Sequence, residues 1–136
     1  MSQTRTRRLE FGKDFDVTGD WLEFSGRKPA RRHGITEHVY LVIDGYTFDP
    51  TKPGDLSTAI EIDGRTIEPV VRVIDSNGEI YPTRDTTRWG GVIGLKVLGV
   101  ADGTAITEDA DEVRISIRSD RKFRCKSIGW NSHRMK

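Results

Sequence analysis

Alternation of apolar and polar residues at every second position, broken at short intervals by turn residues, constrains this chain more than any other feature. Val113, Ile115 and Ile117 alternate with Arg114, Ser116 and Arg118, which puts branched side chains on one face of a strand and polar ones on the other. Nowhere does an apolar set recur at helical spacing for three turns. The expected fold class is therefore all-β. Ile60-Glu61-Ile62 and Arg65-Thr66-Ile67 flank Asp63-Gly64, and Val71-Arg72-Val73-Ile74 and Ile80-Tyr81 flank Asn77-Gly78. Both dipeptides readily take the positive φ of a tight two-residue turn, so each pair of segments is read as a hairpin.

Other segments are apolar on both faces. Val39-Tyr40-Leu41-Val42-Ile43 and Val92-Ile93-Gly94-Leu95-Lys96-Val97-Leu98 read as strands in mid-sheet, covered on both sides. With weaker segments at 7–11 and 17–24 the count reaches eight to nine strands, which suits a sandwich or barrel better than an open sheet; the expected architecture is a two-sheet antiparallel sandwich of jelly-roll type. In the last strand Phe123 and Cys125 share one parity, and Ile128 and Trp130 the other. A β-bulge near Lys126 and Ser127 would return all four to one face. Two long connections are expected, Ser25 to Thr36 and Tyr81 to Gly91.

The chain has 136 residues, enough for a single domain over 1–136 with one core that needs no cross-link. Its one cysteine, Cys125, cannot form an internal disulfide, which favours a reducing compartment. No apolar run is long enough to span a bilayer and no leader is recognisable, so the expected location is cytoplasmic, with no membrane partner. Lys plus Arg number 22 against 21 Asp plus Glu, so the net field does not draw the whole protein onto a polyanion. Nucleic acid is disfavoured as a partner, because basic residues on strand faces mainly keep sheets solvated and no recognition motif accompanies them.

No catalytic signature stands out. There is no Gly-x-Ser-x-Gly elbow and no phosphate-cradling glycine loop, and Cys125 lies among apolar residues of its own parity, as a buried structural thiol would. Asp102, Glu108, Asp109, Asp111 and Glu112 offer oxygen ligands of the kind calcium takes, yet their spacing fits no EF-hand loop. His33, His38 and His133 have no zinc-ligand spacing, so neither metal nor cofactor is expected. Tyr40 and Trp130 share parity with core residues, whereas Trp89 lies between Arg88 and Gly90-Gly91. The candidate ligand-binding residues are Trp89, Arg84, Arg88, Arg31, Arg32 and His33, the aromatic and polar side chains placed in the two long connections.

The segment from Asp111 to Trp130 resembles the closing strand pair of uncharacterised bacterial jelly-roll proteins and, more loosely, that of galactose-binding-like sandwich domains. The resemblance covers about 20 residues, implies a fold, and transfers no catalytic residue. The leading functional expectation is a non-enzymatic binding or assembly module, with a carbohydrate or a protein as partner. Its alternatives are a small hydrolase with an unsignalled carboxylate pair and a structural protein that forms homo-oligomers through its sheets.

Overall fold

A computed structural model describes residues 5–28, 35–46, 60–62, 64–89, 92–97 and 111–134. The alternation becomes ten strands: β1 (Arg5–Val17), β2 (Leu22–Lys28), β3 (Ile35–Ile43), β4 (Ile60–Ile62), β5 (Arg65–Ile67), β6 (Val70–Ile74), β7 (Ile80–Trp89), β8 (Val92–Val97), β9 (Asp111–Arg118) and β10 (Phe123–Arg134). No helix occurs among the described residues. Eight strands form one antiparallel sheet in the order β1-β10-β3-β8-β7-β6-β9-β2, and β4 and β5 form a separate hairpin.

Strand β7 joins the halves of the sheet. Ile80, Tyr81 and Pro82 pair with Ile74, Val73 and Arg72 of β6, whereas the residues from Thr83 onward pair with β8. Hydrogen bonding thus runs on through β7 between what the alternation suggested as two sheets. The sheet rolls until its end strands β1 and β2 face each other, giving a nearly barrel-shaped molecule.

Aromatic side chains close this seam. A Cβ on Gly26 would run into the ring of Phe11, and one on Gly12 into the ring of Phe24, so each strand offers a glycine where the other brings a phenylalanine. Phe15 lies against Phe24 with ring centroids 4.4 Å apart at 44°. Gly26→Ala is therefore expected to destabilise the fold by about 1–3 kcal/mol through overpacking. A lower urea midpoint would register it; an unchanged midpoint would mean that Phe11 moves aside freely.

The core fills the inside of the roll. Val113, Ile115, Ile117, Phe123 and Ile128 are buried as the alternation predicts, together with Val39, Leu41, Ile93 and Trp130. The predicted bulge is present: Cys125 pairs with Ile43 and Ser127 with Val42, so Lys126 is the extra residue. Phe123, Cys125, Ile128 and Trp130 all join the core as a result.

Several boundaries differ from the sequence reading. The first strand runs to Val17 and the second begins at Leu22, because Thr18 makes the turn: its carbonyl accepts from Ser119 N–H, and its hydroxyl from Asp20 N–H. Of the two expected long connections, Tyr81 to Gly91 is mostly strand β7, and Ser25 to Lys28 belongs to β2. The Asp63-Gly64 hairpin forms as expected, with Ile62 opposite Arg65 and Gly64 at φ 76°; Asp63 itself lies outside the described residues.

The Asn77-Gly78 turn is present but longer than two residues. Gly78 N–H donates to Asp75 C=O and Asp75 N–H to Glu79 C=O, with Gly78 at φ 82°. This is a three-residue loop with a type I turn and a glycine bulge. Asp75 decides the difference: its buried Oδ1 accepts the N–H groups of Asn77 and Glu79, both at 2.9 Å. The Tyr81 hydroxyl lies 2.9 Å from Asp75 Oδ2 and 3.0 Å from Glu79 Oε2. Burial, reinforced by those two carboxylates, raises the tyrosine's pKa and keeps the hydroxyl a donor.

Candidate functional site

Where β7 leaves β6, the surface opens. The ladder between them ends at Arg72 opposite Pro82, and the next contact is from the Thr83 hydroxyl to the Val71 carbonyl at 2.8 Å. The Thr83 hydroxyl thus adds a side-chain hydrogen bond to β6 at the point where the ladder stops. The strands part into a groove of about 480 Å³, a size that accepts a small ligand or a short segment. Ile93, Leu95 and Val71 form its apolar floor, Pro69, Val70, Ile80 and Pro82 line its rim, and Arg72, Arg84 and Arg118 supply its charge.

Trp21 organises two of these arginines. It immediately precedes β2, whose Leu22 pairs with Ile117 of β9, while Val70 of β6 pairs with Arg118. The guanidinium carbon of Arg72 lies 4.0 Å from the indole centroid and that of Arg118 4.5 Å, so both cations lie against one ring. Among the described residues no carboxylate comes within ion-pair distance of Arg72, Arg84 or Arg118, and the groove lining contains no Asp or Glu. The Arg72 Nε is buried and has no hydrogen-bond partner among them. A guanidinium on an aromatic face can still present its in-plane N–H groups to an anion.

A second polar cluster lies inside the roll, at the far end of β2. Lys28 is fully buried, and its Nζ stands 3.0 Å from Oε2 of Glu37, which is also buried. The indole N–H of Trp130 donates to the same oxygen at 3.2 Å, and the Lys28 ammonium lies 5.9 Å from the indole centroid. Glu37 Oε1 has no hydrogen-bond partner among the described residues. Alternation places Lys28 inward, following Leu22, Phe24 and Gly26, so the sequence makes this lysine an interior residue.

The expected binding residues are not brought together as one constellation. Arg84 lines the groove. Arg88 and Trp89 lie in β7, paired with Ile93 and Val92, instead of in a connection; their side chains lie outside the described residues. Arg31, Arg32 and His33 fall outside the described residues altogether, as does the acidic stretch up to residue 110. Trp21, Arg72 and Arg118 are not among the expected binding residues, because each occupies an ordinary strand or turn position and only cross-strand register makes them neighbours. Among the described residues no three His, Cys, Asp or Glu side chains group as metal ligands, and no helix is long and apolar enough to cross a membrane.

Cys125 is fully buried, and its Sγ–H lies 3.2 Å from the Ser127 carbonyl and 3.3 Å from that of Val42. Burial pushes the thiol from 9.0 up to about 12, against the two backbone hydrogen bonds, which lower it. At pH 8 the folded protein is expected to react with Ellman's reagent at least roughly a thousandfold more slowly than the unfolded chain, because three pKa units remove that much thiolate. Comparable rates in buffer and in urea would contradict this burial. The raised pKa also fixes a pH dependence: this contribution to stability is complete below pH 9 and is lost as pH rises toward 12.

No family model, curated protein or solved structure matches this chain.

Proposed function

We propose that this chain is a non-enzymatic binding module of jelly-roll type, holding in the groove between β6 and β7 a ligand that combines an anionic group with an apolar part. The single observation that carries the reading is the pair Arg72 and Arg118 on Trp21, with no carboxylate at ion-pair distance among the described residues. Cations gathered without counter-charges repel one another, and an anion relieves that repulsion while taking up the free N–H groups. The apolar floor gives the rest of the ligand a surface to bury. Support for the jelly-roll type comes from strand order. Setting the small hairpin aside, the sheet reads first, eighth, third and sixth strand, then fifth, fourth, seventh and second, as two interleaved Greek keys do.

A neutral-sugar site is less well supported, because an indole whose ring carries two guanidiniums is a poor platform for a sugar face. The hydrolase alternative gains nothing from a groove lined by arginine and aliphatic residues. Thermal denaturation of the full chain against a panel of carboxylates, phosphate and sulfate esters, and neutral oligosaccharides tests the reading. Anionic compounds are expected to raise Tm, by an amount equivalent to about 2.7 kcal/mol at a hundred times Kd, and Arg118→Gln to weaken the effect about tenfold or more in concentration. A panel in which only neutral sugars stabilise the protein, or in which Arg118→Gln changes nothing, would overturn it.

A further inference from the structure

We infer that the occupant of this groove is an extended protein segment in which a carboxylate side chain sits between two branched apolar ones, at every second residue; the inference rests on the binding role proposed above. Its basis is the order of chemistry along β6. Val70 and Arg72 share one face of the strand two residues apart, and Ile80 stands opposite Ile74, two residues further on. The surface therefore reads apolar, cationic, apolar over four residues, a length of about 13 Å. A strand-like ligand repeats its side chains on one face at that same two-residue step, so its complement is apolar, acidic, apolar at i, i+2 and i+4.

Exposure supports this occupant. Val70 and Ile80 are 48% and 52% exposed, the only large hydrophobic side chains of that kind among the described residues, and both border the groove. Aliphatic lips of this sort suit the side chains of a peptide better than the flat face of a sugar ring, which prefers an open aromatic surface. Between them stands Arg72, which has no carboxylate at ion-pair distance and no hydrogen-bond partner for its Nε among the described residues, so an acid at i+2 would meet an uncompensated guanidinium. At the Val70 end of this line β6 has no strand partner on its β7 side among the described residues, so that end of the segment meets an open edge.

Isothermal titration of the full chain with a blocked peptide containing valine, threonine, glutamate, threonine and valine in that order tests the inference. Its partners in the experiment are the same peptide with glutamine for glutamate, and trigalacturonate as an acidic sugar. The glutamate peptide is expected to bind, the glutamine peptide at least about tenfold more weakly, and Arg72→Gln to lose a similar factor for the glutamate peptide. Should Arg72→Gln fail to fold, Ile80→Ser, which alters an exposed side chain, is expected to weaken the peptide several-fold. Equal binding of the two peptides overturns the inference, as does an unchanged affinity in the variants. Trigalacturonate bound in an Arg72-dependent manner, with neither peptide bound, overturns the peptide occupant and leaves the anion-binding role standing. Silence from every anionic probe overturns both.

Discussion

Replacing Lys28 with methionine is expected to lower the stability of the fold by about 3–5 kcal/mol, a large fraction of what holds a domain of this size together. The ammonium lies 3.0 Å from Glu37 Oε2 in a site closed to solvent, so removing it leaves a carboxylate buried without its counter-charge. The Trp130 indole N–H still donates to that oxygen, but one neutral donor cannot offset the desolvation of a full charge. The pair is not thereby shown to stabilise the protein. Bringing two charges out of water costs several kcal/mol each, and replacement of both by apolar groups is often neutral or favourable. The double variant Lys28→Met/Glu37→Leu is accordingly expected to recover most of the loss. Urea unfolding of the two variants separates the cases: a single variant within 1 kcal/mol of the parent would mean that Glu37 is not buried as a charge.

The same lysine shows how far the sequence could be read. Inward placement of Lys28 follows from the two-residue period that puts Leu22 and Phe24 on the core side, yet nothing in the one-dimensional pattern brings Glu37 or Trp130 to meet it. Local chemistry was legible: the Asp63-Gly64 hairpin, the burial of Ile115 and its neighbours, and the bulge at Lys126 each depend on a few contiguous residues. What was not legible depends on register between distant strands. Arg72 and Arg118 sit 46 positions apart and become partners on Trp21 only because Val70 pairs with Arg118 and Leu22 with Ile117. The segment after Tyr81 misled for a similar reason. Pro82, Arg84, Asp85 and Arg88 are poor signals for a strand, and pairing with the apolar β8 outweighs that local preference.

Gly129→Ala is expected to cost more than the same change at Gly12, Gly19 or Gly26, upward of about 3 kcal/mol, at or beyond the usual range for overpacking. Gly129 lies in mid-sheet, opposite Glu10 of β1 on one side and Tyr40 of β3 on the other. A Cβ there would stand 2.7 Å from the Tyr40 ring and 3.0 Å from the Glu10 Cα, and closer still to the Leu9 carbonyl oxygen. The ring is not free to retreat. Its hydroxyl is hydrogen-bonded to Ser127 Oγ at 2.9 Å, Ser127 in turn donates to Glu10 Oε2 at 2.7 Å, and the Arg8 guanidinium lies over its face at 5.0 Å. Nor can the backbone of β1 shift without loosening its ladder to β10 and the phenylalanine seam that closes the roll. Gly19→Ala is the matched control, since a Cβ there meets only the Ser119 carbonyl, at 4.0 Å, and its cost is expected within about 0.5 kcal/mol. Adding Tyr40→Leu to Gly129→Ala should restore only part of the loss, because it removes the clash with the ring and leaves those with Leu9 and Glu10. Urea midpoints rank the three variants, and a Gly129→Ala midpoint no lower than that of Gly19→Ala would mean that β1 does not approach β10 this closely.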